Sequence, residues 1–233
     1  MDKFFYDKIL NIFFPAKCGF CDAITGNSNY ICDKCQKLKY ISFDNRCVLC
    51  GGITYNLNGI CKKCSGRKIY YEKLLYIGEY EGVLKEKLLA YKFKDKAYFY
   101  NFFAELLSVK ILQESADILT VVPISRKRFF ERGYNQSELI GRKVSKYLEK
   151  PYKNLLVKNH ETLRQSELSK NERFLNVKNT FGVKNKDFVK NKNIILIDDI
   201  FTTGATINEC SKMLKNAGAK SVVAVVIAVN INK

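Results

Sequence analysis

The sequence predicts an α/β fold: an open parallel sheet with helices on both faces, preceded by a small cysteine-rich module. Three observations predict it. Eight cysteines form a twofold repeat within the first 64 residues. Beyond them, apolar runs of strand length alternate with amphipathic helical stretches. One of those runs leads into two acids and a glycine-containing loop that opens a helix. The 233 residues suffice for one sizeable core and one small extra module, divided here as 1–70 and 71–233. At 47% hydrophobic and 27% charged residues, the balance is globular, neither disordered nor fibrous.

The N-terminal stretch MDKFFYDKILNIFFPAK is apolar but broken by Asp7 and Lys8, and it lacks a small-residue cleavage site. It reads as a helix leading into the module, not as a signal peptide. No apolar run approaches the roughly 18 residues of a membrane-spanning helix; the longest, Val222 to Val229, is strand length. The expectation is a cytoplasmic protein without membrane insertion.

The cysteines pair as Cys18/Cys21, Cys32/Cys35, Cys47/Cys50 and Cys61/Cys64. The spacing C-x2-C-x10-C-x2-C occurs twice, the second copy 29 residues after the first. Two thiolates three residues apart can wrap a metal ion through a tight knuckle, and two knuckles complete a tetrahedral four-thiolate site. Gly51 after Cys50 suits such a turn. The competing reading, a disulfide framework, is disfavoured in a reduced cytosol. Two structural zinc ions are expected, with sequential ligand sets; spacing alone leaves an interleaved arrangement open. Closed sites of this type contribute on the order of 10–16 kcal/mol of metal binding to folding. Cys210, in helical step with Ile207, Met213 and Leu214, reads as a core thiol, and the single histidine, His160, as a surface residue.

After Cys64 the pattern changes. Leu75 to Tyr80 reads as a strand, Val83 to Tyr91 as a short helix and Phe99 to Gln113 as a longer one. The run ILTVVPI, Ile118 to Ile124, is a central strand buried on both sides. Ser137 to Leu148 is helical, Ile194 to Ile197 a second buried strand, and Ala205 to Asn216 a helix stopped by Gly218. Val222 to Val229 is the last strand.

The formal net charge is +17, carried by 40 Lys and Arg against 23 Asp and Glu. Lysines outnumber arginines 32 to 8, and much of that excess is solvated surface charge. The arginines are concentrated: Arg126, Arg128, Arg132, Arg142, Arg164 and Arg173 fall within 48 residues. Guanidinium forks suit phosphate, so this stretch is a candidate phosphate site. Each four-thiolate zinc site adds −2, which leaves residues 1–70 close to neutral and places the basic excess in residues 71–233.

In open parallel sheets the ligand lies beyond the carboxyl ends of the strands. There stands IILIDDIFTTGAT, residues 194–206: a buried strand, the acids Asp198 and Asp199, and the loop Thr202, Thr203, Gly204, Ala205, Thr206. Backbone N–H groups at a helix start, threonine hydroxyls and a glycine can converge on one phosphate. The acids would repel that phosphate and should face hydroxyls instead, which describes a ribose 5-phosphate.

These thirteen residues resemble the phosphoribosyl pyrophosphate (PRPP) signature of the type I phosphoribosyltransferases. VVPISRKRFFERGYNQSELIG, RQSELSKNERFLNVKNTF and the cysteine pairs preceded by FFPAKC resemble the ComF family, over nearly the whole chain. That family joins a zinc-ribbon module to a phosphoribosyltransferase-like domain and is associated with DNA uptake in natural competence. The resemblance implies that Asp198 and Asp199 hold the ribose hydroxyls and that Thr202 to Thr206 hold the 5-phosphate. It implies that the loop from Pro123 through Ser125, Arg126 and Arg128 meets the pyrophosphate. The stretch Arg164 to Arg173, with Lys170, would be a mobile loop closing over the substrate. One departure stands out: after Lys92 and Phe93 the chain has Lys94-Asp95-Lys96 where the family pattern has a glycine turn.

Displacing pyrophosphate from an anomeric carbon needs positive charge, magnesium, positioning and exclusion of water, and no histidine. Mg2+ would be bound largely through PRPP oxygens. Arg126, Arg128 and Arg164 are the expected catalytic cations. The expectation is therefore a phosphoribosyltransferase of unidentified acceptor acting in DNA uptake. The alternative is a non-catalytic adaptor that binds single-stranded DNA or the competence helicase and DNA-processing proteins. A zinc hydrolase is disfavoured, because the ligand sets are closed.

Overall fold

A computed structural model describes residues 15–25, 30–36, 45–93, 96, 98–159 and 180–231. Its core is a four-stranded sheet made of β1 (Lys73–Glu79), β2 (Ile118–Val121), β5 (Asn193–Phe201) and β6 (Ser221–Val229). The strands run in the order β1-β6-β5-β2, and every pairing is parallel. β6 is central and apolar along its length because it is covered on both faces. Its residues and those of β5 alternate between two cores. Ile195, Ile197, Val223 and Val225 face one way, toward α3 (Gly82–Phe93), α4 (Phe99–Ile111) and α6 (Gln136–Leu148). Ile194, Leu196, Val222 and Ala224 face the other way, toward α7 (Ala205–Asn216). Helices on both faces are thus the outcome, as the alternation predicts.

Two boundaries moved. β2 ends at Val121, not Ile124, and it lies at the edge of the sheet, not at its centre as the apolar run suggests; Tyr152 covers its outer side through a bridge to Leu119. β5 runs on to Phe201, so Asp198 and Asp199 are strand residues. Beyond the cysteine segment, three elements were not expected at all. The arginine stretch forms α5 (Arg126–Arg132), capped by the Ser125 Oγ, which accepts from Arg128 N at 3.3 Å, and closed by Gly133 at φ +74°. An antiparallel pair, β3 (Leu156–Lys158) and β4 (Phe181–Val183), stands beside the main sheet.

The cysteine segment reproduces its 29-residue repeat in three dimensions. Cys18 N donates to Ala23 O at 2.8 Å, and Cys47 N to Gly52 O at 2.7 Å. The bridges Lys17–Ile24 and Arg46–Ile53 correspond, as do the single turns α1 (Asp33–Gln36) and α2 (Lys62–Ser65). Both copies dock on the α/β core. In the first, Phe20 meets Phe102 edge-on at 4.8 Å, and Lys87, only 7% exposed, pairs with Asp22 at 2.9 Å. In the second, Leu74 N donates to Val48 O at 2.8 Å, and the Tyr71 hydroxyl donates to Leu49 O at 2.7 Å. The expected N-terminal helix lies outside the described residues, and no described helix is long and apolar enough to cross a membrane.

Candidate functional site

At the carboxyl ends of the parallel strands lies a cleft of about 320 Å³. β5 delivers the two acids to its floor. Asp199 pairs with Lys92 Nζ at 2.6 Å, and both side chains are mostly covered. Lys92 stands near the end of α3, where the neighbouring Tyr91 hydroxyl donates to Gln136 O at 2.8 Å and ties that helix to the start of α6. Asp198 accepts from Asp199 N at 2.9 Å and from the Ser137 hydroxyl at 3.4 Å. Burial, and then the adjacent Asp199 carboxylate, push Asp198 up to about 7, well above the ordinary carboxylate range.

The loop after β5 turns at Gly204, whose φ of +76° is left-handed. A Cβ there would come within 2.5 Å of the Phe201 ring, so both conformation and space call for glycine. Thr203 Oγ1 accepts from Ala205 N at 3.4 Å, just ahead of the first turn of α7, whose N-cap is Gly204. Thr202, Thr203, Gly204, Ala205 and Thr206 all line the cleft, so a helix start with its partial positive charge faces it.

On the β2 side, Ser125 and Arg128 line the same cleft; Arg126, on the first turn of α5, is exposed and outside the lining. α6 is held in place by Asn135, which donates to Val122 O at 3.2 Å and accepts from Ser137 N at 3.0 Å. This makes structural sense of the RGYNQS stretch: it orients the serine that meets Asp198. Arg164 and Lys170 lie outside the described residues. Sequence reasoning missed Lys92, Ser137, Lys158 and Tyr80, all of which line the cleft. Of these, Lys92 carried a usable signal, since it stands where the family pattern is interrupted. Burial and the Asp199 charge raise the Tyr80 hydroxyl pKa above its usual value.

The eight paired cysteines converge in two sequential sets, Cys18, Cys21, Cys32, Cys35 and Cys47, Cys50, Cys61, Cys64. Within each set all four Sγ atoms lie within 4.8 Å of one another. The Cys21–Cys32 and Cys50–Cys61 sulfurs are 3.7 and 3.6 Å apart. A tetrahedron with Zn–S bonds of about 2.3 Å has edges of about 3.8 Å, so both sets could hold zinc. Backbone amides support the sulfurs: Gly52 N donates to Cys50 Sγ at 3.4 Å and Cys61 N to Cys47 Sγ at 3.3 Å. Cys210 is fully buried and outside both sets, as its helical spacing predicted. The second set also borders the phosphate-type loop: Cys50, Cys64, Phe201, Thr203 and Gly204 share the walls of one cavity.

Residues 135–233 match the family described as phosphoribosyl transferase domain. Competence protein F of Haemophilus influenzae is 29% identical over 161 residues, 65% of this chain and 70% of that protein. Competence protein ComFC of Streptococcus pneumoniae is 35% identical over 144 residues, 61% of this chain and 62% of that protein. Among solved structures, adenine phosphoribosyltransferase from Thermoanaerobacter pseudethanolicus is 18% identical, covering 60% of this chain and 83% of that one at a TM-score of 0.38. With two four-cysteine clusters ahead of a stretch that matches the phosphoribosyl transferase domain, the chain is similar to these competence proteins.

Proposed function

We propose that this protein binds PRPP, or a related phosphoribosyl ligand, together with Mg2+ and transfers the phosphoribosyl group, in the service of competence and DNA uptake. The observation that carries the reading is the sharing of one cleft by the acid pair, the Thr202–Thr206 loop and Arg128. The start of α7 would take the 5-phosphate through its N–H groups. Asp199, steered by Lys92, and Asp198, steered by Ser137, would accept hydrogen bonds from the ribose hydroxyls. Arg128 would meet the pyrophosphate and stabilise the charge that builds on it as it leaves. Magnesium, held mainly by ligand oxygens and water with these two carboxylates nearest, would neutralise further charge there; paired hard oxygen donors suit that ion. The cysteine sets would hold two zinc ions in a purely structural role, since four thiolates leave no open position.

Calorimetric titration of PRPP with Mg2+ tests this. Wild type should bind, and the double variant Asp198→Asn/Asp199→Asn should bind at least tenfold more weakly, because charged hydrogen-bond acceptors are lost. Absence of binding to the wild type would sink the proposal.

A second reading, a non-catalytic adaptor for single-stranded DNA, is favoured by one observation. Lys62, Lys63 and Arg67 line a pocket shared with Thr202 and Thr203, so basic residues of the second cysteine set continue past the phosphate-type loop. Oligonucleotide binding there would weaken steeply with salt; affinity constant between low and moderate salt would argue against it.

A further inference from the structure

A second cavity, of about 510 Å³, lies behind the Thr202–Thr206 loop and exceeds the cleft in volume. The second cysteine set, the linker into β1 and the start of α7 surround it. Thr203 and Gly204 line both spaces, so this short loop is the wall between them. The cavity is a built one, not a gap left by loose packing. Asn208 of α7 accepts from Tyr70 N at 2.9 Å through Oδ1 and donates to Lys68 O at 3.0 Å through Nδ2, which fixes the linker across α7. The volume lies within the range of small-molecule sites, about 300–1,000 Å³.

Its lining is divided by chemistry. Inside stand the Phe201 and Tyr71 rings, both buried, with Ile69 packed on the same core. The Tyr71 hydroxyl is already committed to Leu49 O, so that residue offers the cavity its ring. Arg67 and Lys68 line the cavity as exposed residues and put two cations at its mouth. Cys50 and Cys64 complete the wall, and clustered thiolates repel a second anion. An occupant must therefore turn an anionic head outward to Arg67 and Lys68 and an apolar body inward. Two aromatic rings at the inner end favour a flat ring over a saturated one.

We infer that this cavity is a regulatory ligand site and that it takes a planar aromatic acid. The guanidinium and the ammonium at the mouth would hold the carboxylate by charge-assisted hydrogen bonds. The ring would rest against Phe201, whose own ring packs so closely on Gly204 that a Cβ there would lie 2.5 Å from it. Pinning Phe201 holds Gly204 at its φ of +76° and, with it, the start of α7. Occupancy of the cavity thus tightens the binding of an anion on the opposite face of the loop. The coupling is one of binding free energies and is reciprocal. This regulatory half rests on the phosphate role given to the loop above; the site itself does not.

The probe is 2-naphthoate, titrated by calorimetry into the full chain, with 2-naphthamide and decahydro-2-naphthoate as comparisons. 2-Naphthoate should bind on the order of tenfold more tightly than either, because the amide lacks the charge and the saturated ring cannot stack. Arg67→Gln/Lys68→Gln changes two exposed residues; it should keep the wild-type melting temperature and lose the preference for the acid over the amide. Arg128→Gln should leave 2-naphthoate binding unchanged, and loss of binding there would put the acid in the cleft and overturn the site. So would an absence of 2-naphthoate binding to the wild type, or a preference that survives in Arg67→Gln/Lys68→Gln. Equal binding of decahydro-2-naphthoate would overturn the planar class. Saturating 2-naphthoate should tighten the binding of inorganic phosphate about fivefold; an unchanged phosphate affinity would overturn the regulatory role. If inorganic phosphate binds neither with nor without 2-naphthoate, the phosphate role of the loop falls and the regulatory role with it, while the 2-naphthoate titrations still decide the site.

Discussion

Asp198 stands within β5, its carboxylate held by the Ser137 hydroxyl and crowded by Asp199. In the unfolded chain it ionises near 3.8, whereas in the fold it holds its proton up to about 7. Across that window the folded state binds more protons than the unfolded one, so stability declines as pH rises from about 4 to 7. An asparagine carries no such charge. Asp198→Asn should therefore melt at a higher temperature than wild type at pH 8, with the gap closing as the pH falls toward 5. A wild type that melts higher than the variant at pH 8 would contradict this account. Such a trade of stability for a positioned charge is what a binding acid, as opposed to a structural one, should display. Gly204 is constrained from the opposite direction, by shape. Its φ of +76° disfavours any side chain, and a Cβ would sit 2.5 Å from the Phe201 ring. Gly204→Ala should cost about 1–3 kcal/mol in denaturant unfolding. It should also weaken the binding of inorganic phosphate, because the first turn of α7 would be displaced with the loop.

Elements were readable from the sequence where burial wrote a period into it. β6 is covered on both faces and shows as one unbroken apolar run; α7 begins and ends where its pattern does. Where polar residues do structural work the period is silent. β5 continues through Asp198 and Asp199 because its backbone stays paired to β6 as far as Phe201–Val229, a fact that no hydropathy pattern contains. α5 is a single exposed, basic stretch whose ends are marked only by Ser125 and Gly133. β3 and β4 are three residues each and pair across a long interval, so neither shows strand alternation alone. The acid pair and the Thr202–Thr206 loop stand out in the sequence because contiguous residues carry them, and the structure brings both to one cleft. Ser137 and Tyr80 do not, because the fold brings them to the cleft from α6 and from the end of β1, and Lys92 is marked only by the interrupted family pattern that follows it. The second cysteine set exploits the same kind of distant contact. Its Cys50 and Cys64 share a cavity with Thr203 and Gly204, whereas the first set packs on Phe102 of α4. Metal analysis should find two zinc ions per chain, falling to one in either Cys21→Ser or Cys50→Ser. Of the two variants, Cys50→Ser should show the larger loss of the proposed PRPP binding. Equal loss in both would show that the second set does not support the loop.

Across the whole molecule, the cysteine module and the α/β core bury each other. Phe102, 1% exposed, is covered in part by Phe20, and a Cβ on Gly19 would lie 2.3 Å from its ring, so the two surfaces are fitted without spare room. Tyr30 N donates to Glu105 at 2.9 Å, and Arg46 pairs with Glu79 at the end of β1. The sequence suggested a module that metal alone could hold together; the contacts make it a lid on both cores. The apolar surface beneath that lid is large enough to matter, since each aromatic side chain buries on the order of 150–250 Å². A chain beginning at residue 67 would expose Phe102, Leu74 and the Tyr71 ring to water while keeping the sheet and the entire Thr202–Thr206 loop. Exposed patches of this kind bind hydrophobic dyes and drive association. The shortened chain should therefore bind such a dye, melt well below the full chain and be prone to aggregation. Removing zinc from the full chain with a strong chelator should move it in the same direction, because the lid loses its internal support. If the shortened chain melted at the same temperature as the full one and stayed monomeric, the module would be a separate unit. The contacts at Phe102 and Leu74 would then contribute little to stability.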